Sequence, residues 1–208
     1  LQYHEVKVIL NHTFATTFTS ELTSNKLFCD YIYLDTDERR RFAQVSHEYL
    51  IEQIQEQTLK NPTGSSDLNF NHPVKELIWV VNTGQIVPGS FFDIGTDDTT
   101  YLLKLNGHDR FAARDRRYFT RTQVWQYHSG AGGLNSASAG LGKFNDGIGV
   151  YSFSLKPEEH QPSGTCNFSR IDNAQLVANA NGLADTIFAV NYNVLRIMSG
   201  MGGLAYSN

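Results

Sequence analysis

Short apolar segments recur from one end of the 208-residue chain to the other, some alternating with polar residues and some unbroken, each bounded by Gly, Pro, Asn or Asp. Such patterns belong to half-buried and fully buried β-strands, and a chain dominated by them must pair its strands into sheets and cover one sheet with another. Eight segments carry the pattern. In Gln2 to Leu10, Val6, Val8 and Leu10 fall on one face and Glu5 and Lys7 on the other, whereas Lys26 to Asp35 is apolar on both faces. His47 to Gln57 is ambiguous, because Leu50 and Ile54 stand at helical spacing while Tyr49 and Ile51 stand at strand spacing. Val74 to Asn82, Thr99 to Leu105 and Ile148 to Leu155 are short and rich in Val, Ile, Tyr, Phe or Trp. Arg170 to Ala178 and Asp185 to Met198 complete the set, the last predicted to turn Phe188, Val190, Tyr192 and Val194 inward and Asn191 and Asn193 outward.

Eight strands of this length predict an all-β fold, an eight-stranded antiparallel two-sheet sandwich or jelly roll with long loops, in a single domain over residues 1–208. Composition agrees, with 13 Phe, 10 Tyr and 17 Gly against only 18% charged residues. A chain of this size buries about 70% of its surface on folding, enough for a core without staples. One short connector helix is signalled, Glu38 to Ala43, with Thr36 or Asp37 able to cap it. The connection Asn106 to Gly147, roughly 40 residues, far exceeds ordinary loop length and is expected to carry function. It holds a predicted extra strand, Tyr118 to Tyr127, and then a Gly/Ala/Ser tract, Ser129 to Gly142, expected to be mobile or to act as an extended arm.

Seventeen basic against 21 acidic residues leave a net charge of −4, which argues against direct binding to nucleic acid or anionic lipid. No window approaches 18 consecutive apolar residues, and the first residues have no signal-peptide pattern. The chain starts at Leu1 rather than Met, so a piece of a longer polypeptide is expected. Ala137 and Phe144 spoil the one phosphate-loop likeness, Ala139-Gly140-Leu141-Gly142-Lys143. The adjacent pairs His47-Glu48 and Glu159-His160 point to opposite faces of a strand and cannot share a metal ion. Cys29 and Cys166 are too few for a disulfide framework, and Cys166 near His160 lacks the rest of a nucleophilic site. Asp97-Asp98 reads as a solvated turn. No enzyme activity, metal or cofactor is therefore expected.

The basic clusters are Arg39-Arg40-Arg41, offset by Asp35, Asp37 and Glu38, and Asp109 to Arg121, which has an Arg surplus among aromatics. Arg and aromatic residues are enriched at protein interfaces. The second cluster makes Arg110, Arg114, Arg116, Arg117, Phe119, Arg121 and Trp125 the candidate interface residues. Asn11 and Asn167 stand in N-x-S/T acceptor sequences and are candidate glycosylation sites, a reading weakened by the lack of a secretory signal. An alternative function is a carbohydrate-binding jelly roll, which would need Trp79 and Trp125 both exposed on one face; the alternation around Trp79 predicts it buried.

Three stretches resemble one family: LDTDERRRFAQVSHEYLIEQ (Leu34 to Gln53), FSLKPEEHQPSGTCNFSRID (Phe153 to Asp172) and AVNYNVLRIMSGMGGLAYSN (Ala189 to Asn208), with HPVKELIWVV (His72 to Val81) between them. They are similar to the major capsid protein of the nucleocytoplasmic large DNA viruses, the chlorovirus, iridovirus and mimivirus relatives. The resemblance implies a double jelly-roll structural protein of about twice this length, of which this chain is the second, C-terminal jelly roll. It implies a homotrimer of pseudo-hexagonal outline that contacts neighbouring capsomers and minor capsid proteins in the icosahedral shell of the virion, with the inner membrane reached only indirectly. It further implies assembly in the host cytoplasm, tips His47 to Gln57 to a strand, and transfers no catalytic residue.

Overall fold

The computed structural model describes residues 5–9, 26–81, 93–130, 146–180 and 182–206. In chain order these hold helix α1 (Thr36–Gln44) and strands β1 (His47–Thr58), β2 (Ser65–Asp67), β3 (Pro73–Val80), β4 (Thr100–Leu105), β5 (His108–Asp109) and β6 (Arg114–Asp115). A π-helical turn (Tyr118–Thr122) runs into α2 (Gln123–Tyr127), followed by β7 (Ile148–Ser152), β8 (Cys166–Asn167), a 3-10 turn (Phe168–Arg170), β9 (Ala174–Ala178), β10 (Thr186–Met198) and β11 (Met201–Leu204). The described residues divide into two units, a smaller one of residues up to Tyr49 with Val194–Ala205, and a larger one of Leu50–Asn193 with Tyr206.

The larger unit is a sandwich of two antiparallel sheets. One runs β1-β10-β3-β7, with β8 also on β3; the other runs β2-β9-β4-β5, with β6 also on β4. β3 is central and buried on both faces from Val74 to Leu77, as expected of a strand with neighbours on either side and a sheet over it. β4 and β9 alternate, turning Tyr101 and Leu103, and Ala174, Leu176 and Ala178, into the core. There they meet Leu77, Trp79, Ile187 and Ala189 of the facing sheet. The centre is aromatic: Trp79 lies 5.5 Å from Tyr101 and 5.1 Å from Phe119 between ring centroids. Asn106 and Gly107 turn β4 into β5 with φ of 51° and 79°, the left-handed pair that a two-residue hairpin matched to strand twist requires.

The Gln residues of β1 explain its polar but half-buried face. The Gln55 side chain donates to Asn71 O (2.7 Å) and accepts from Asn71 N (3.1 Å), and Gln57 does the same with Asp67 O (2.6 Å) and Asn69 N (2.7 Å). The two amides thus stand in for the backbone of an absent neighbouring strand along residues 67–71.

In the smaller unit, Asp35 caps α1 by accepting from Thr36 N at 2.7 Å, one residue ahead of the predicted cap, and Asp37 and Glu38 lie in its first turn. The end of β10 pairs with β11 from Leu195↔Leu204 to Met198↔Met201.

Several expectations are corrected. Lys26–Asp35 pairs with no strand among the described residues, and Glu5–Ile9, the described part of Gln2 to Leu10, is likewise not a strand. A run that is apolar on both faces is a strand only when both faces are covered, and here Phe28 is 88% and Tyr33 92% exposed. Tyr118 to Tyr127 is helical rather than a strand; Phe119, Thr120 and Gln123 are its buried positions, a helical spacing that outweighs the β-propensity of its aromatics. β10 also departs from the predicted facing. Its register shifts between Val190 and Asn191, so Asn191 and Asn193 are buried while Phe188, Val190 and Val194 are half-buried. Asn191 Oδ1 accepts from Gln55 Nε2 at 3.0 Å, and Asn193 Nδ2 donates to Gln53 Oε1 and Tyr206 O, both at 2.9 Å. The ambiguous His47 to Gln57 is a strand. Of the Ser129 to Gly142 tract, residues 131–142 lie outside the described residues.

Candidate interface and the charged cluster behind it

The aromatic core positions the candidate interface from inside. Phe119, wholly buried, packs against Trp79, Tyr101, Phe111 and Tyr118 and anchors the π-helical turn on the sandwich. Tyr101 donates its phenolic hydrogen to Ile94 O at 2.5 Å, and burial pushes its pKa up to about 12, so the donor persists across the physiological range.

Around this anchor the arginines divide by environment. Arg116, only 5% exposed, reaches Asp93 Oδ2 (3.1 Å), Asp97 Oδ1 (2.8 Å), Asp146 Oδ2 (3.5 Å) and Gly95 O. Arg121 holds Asp146 with two parallel bonds, Nε to Oδ1 and Nη2 to Oδ2, both 2.8 Å, and Thr120 Oγ1 adds a third at 2.6 Å. Burial alone would raise the Asp146 carboxyl; the hydrogen bonds from Arg121 and Thr120 and the charges of Arg121 and Arg116 bring it below the ordinary carboxylate range. The hydrogen bonds from Arg121 to Asp146 in turn raise the guanidinium. Asp146 also donates its backbone N–H to Asp93 Oδ1 (2.9 Å) and accepts from Ile94 N (2.9 Å). One buried arginine and one buried carboxylate therefore clamp residues 93–97, 116–121 and 146 together.

The other candidates face outward. Arg117 is half-exposed and bonds Asp97 Oδ1 at 2.6 Å. Arg114 is exposed and lies over the Tyr118 ring at 4.8 Å, Arg110 is exposed beside the Tyr151 hydroxyl, and Trp125 is 74% exposed. Phe119 and Arg116 are thus internal supports, and Arg110, Arg114, Arg117 and Trp125 form the accessible part. Sequence reasoning missed Asp93, Asp97 and Asp146 as the arginines' partners. Asp97 in particular is exposed yet accepts from both Arg116 and Arg117, more than a solvated turn residue would do.

Other sequence-derived candidates resolve individually. Trp79 is 1% exposed, so it and Trp125 share no sugar-stacking face. Asn167 is half-buried, and its Oδ1 accepts from Ser169 N at 3.1 Å, capping the 3-10 turn; Asn11 lies outside the described residues. Cys166 is half-buried and burial raises its thiol, opposite to the shift a nucleophile needs. Glu158, Glu159 and His160 diverge to separate partners, His128, Lys156 and Glu52.

Two packed antiparallel sheets with long connections define an all-β sandwich of the jelly-roll class. Comparison with known proteins gives the family. A family model described as large eukaryotic DNA virus major capsid protein matches residues 38–203, and the chain belongs to that family. The major capsid protein of Pyramimonas orientalis virus is 51% identical over 228 residues, covering 100% of this chain and 56% of that protein. That of Paramecium bursaria Chlorella virus 1 is 38% identical over 283 residues, covering 100% and 62% respectively. In three dimensions, a chain of the quasi-atomic PBCV-1 virus capsid matches with a TM-score of 0.67 at 38% identity, over 86% of this chain and 56% of that one. The chain therefore spans a little over half the length of the relatives it matches, and those relatives are structural major capsid proteins.

Proposed function

We propose that this chain is a shell-building part of a major capsid protein, the second, C-terminal jelly roll of a double jelly-roll subunit. That subunit trimerises into pseudo-hexagonal capsomers, contacts neighbouring capsomers and minor capsid proteins, and reaches the inner membrane only through other proteins. It acts in the virion after assembly in the host cytoplasm. The observation that carries the reading is the likeness in both sequence and fold to the subunit of the PBCV-1 capsid. Arg110, Arg114, Arg117 and Trp125 serve as interface residues, held in place from behind by Phe119, Arg116 and Arg121.

Within this reading the regular strands of the 1–208 roll start at His47, and the exposed apolar stretches Glu5–Ile9 and Lys26–Asp35 pack against the module that precedes it. Val6, Val8, Phe28, Ile32 and Tyr33 are exposed among the described residues, and the relatives carry additional chain to cover them. Sedimentation of this chain, and of the chain extended upstream of Leu1, tests the proposal. The extended form is expected to be a trimer; a strict monomer in both forms overturns the capsomer reading.

A further inference from the structure

β3 carries two adjacent ionisable side chains, Lys75 and Glu76, both buried. Successive residues of a strand face opposite sides, so each needs its own partner. Lys75 Nζ lies 2.7 Å from Glu52 Oε1 on β1 and 5.6 Å over the Tyr192 ring on β10, and His160 Nδ1 approaches the same Glu52 oxygen at 3.5 Å. Glu76 meets His128, the C-cap of α2, with Oε2 and Nε2 3.0 Å apart. The other ring nitrogen, Nδ1, is 3.3 Å from Glu158 Oε1 on the connector between β7 and β8. Glu76 Oε2 and His128 Nε2 are both sealed from water, and among the described residues neither has a hydrogen-bond partner, so each is left with only the other, 3.0 Å away.

A neutral imidazole has one N–H and one lone pair. With both ring nitrogens against carboxylates, one contact sets lone pair against lone pair unless the trio holds one additional proton, on the ring or on Glu76. Glu158 is not the group that takes it: it accepts from Ser129 N (2.8 Å) and Ser129 Oγ (3.0 Å), and these bonds lower its carboxyl. Burial raises the Glu76 carboxyl despite the opposing charges of His128 and Lys75, the direction that retains a proton in the trio. The remaining charged neighbours are Glu52 and His160, joined to each other beside Lys75, and Tyr192, whose phenol is raised by burial and by the negative charges of Glu52 and Glu76.

We propose that Glu76, His128 and Glu158 form a proton-operated latch that ties the end of α2 and the connector Leu155–Ser163 to β3. With the proton in place, both ring nitrogens are matched and the three elements are held. When the proton leaves, two carboxylates face one lone pair and one N–H, and the connector is released. Because the folded-state value of Glu76 is raised, the stabilisation is complete at low pH and is lost as the pH rises through that value. The direction is tightening in acid and loosening in alkali, and the inference does not depend on the capsomer proposal.

Thermal unfolding of the 208-residue chain from pH 5 to 9, beside Glu76→Gln, tests the latch. The amide of the variant donates an N–H to the ring without an added proton, so its Tm should gain on the parent by about 3 °C or more between pH 5 and 9. Parallel Tm profiles would overturn the proposal. If Glu76→Gln fails to fold, carboxyl and imidazole NMR of the parent decides instead. A Glu76 proton lost, as the pH rises, together with hydrogen-exchange protection of residues 155–163 supports the latch, and loss without any change in protection overturns it.

Discussion

Gly149 stands opposite Trp79 in the β3–β7 pairing, and a Cβ there would come within 2.5 Å of the indole. Only hydrogen fits, so Gly149→Ala is expected to destabilise by about 2 kcal/mol through overpacking, read as an earlier urea midpoint with an altered Trp79 fluorescence maximum. Asp146 has a different role. Replacing it with Ala leaves Arg116 buried with one carboxylate fewer and removes both partners of the Arg121 fork, a loss of about 3 kcal/mol by equilibrium denaturation. Its depressed pKa sets the sign of the pH dependence: the stabilisation is present above the ordinary carboxylate range and is lost as the pH falls through the lower folded value. Acid unfolding should therefore begin at higher pH in Asp146→Asn than in the parent. Neither residue stands out in the sequence. Gly149 looks like one more turn residue, and Asp146 like one carboxylate among many, because their importance lies in Trp79 and Arg121, reached only through the fold.

At the scale of elements, the strands that repeat polar and apolar residues inside a covered sandwich were legible, β4 and β9 among them, since alternation and burial coincide there. Elements whose local preference meets no tertiary support were misread. Tyr118 to Tyr127 is rich in strand-forming aromatics, yet Phe119 fills the core best from a helical turn. Lys26 to Asp35 is the opposite case, a strand-like sequence without a sheet to join among the described residues. In the chain extended upstream, its backbone amides should exchange at least tenfold more slowly than in the 208-residue chain, and equal exchange in both would show that the preceding module does not cover it. On β1, Gln55→Ala removes two hydrogen bonds to Asn71 and one to Asn191, so a loss of about 1–2 kcal/mol and faster exchange at Asn71 are expected.

For the whole molecule, function rests on surfaces, and the accessible arginines and Trp125 are the ones to alter. Trp125→Ala, alone or with Arg114→Ala, is expected to lower the trimer or capsomer fraction in sedimentation while leaving the Tm of the isolated chain within about 2 °C, because these side chains are exposed and outside the core cluster. An unchanged assembly would transfer the interface to other loops. The all-β class, the short capped helix and the position of Trp79 inside were determined by the sequence alone, because alternation, capping and turn chemistry act between residues a few positions apart. The partners were decided by the tertiary structure. Arg121 finds Asp146 and His128 finds Glu76 across intervening strands and loops, and Asn191 turns inward only because the β10 ladder shifts register and Gln55 is there to meet it. No local periodicity encodes which distant side chain will be there to satisfy a buried polar group, so that information exists only once the sheets have packed.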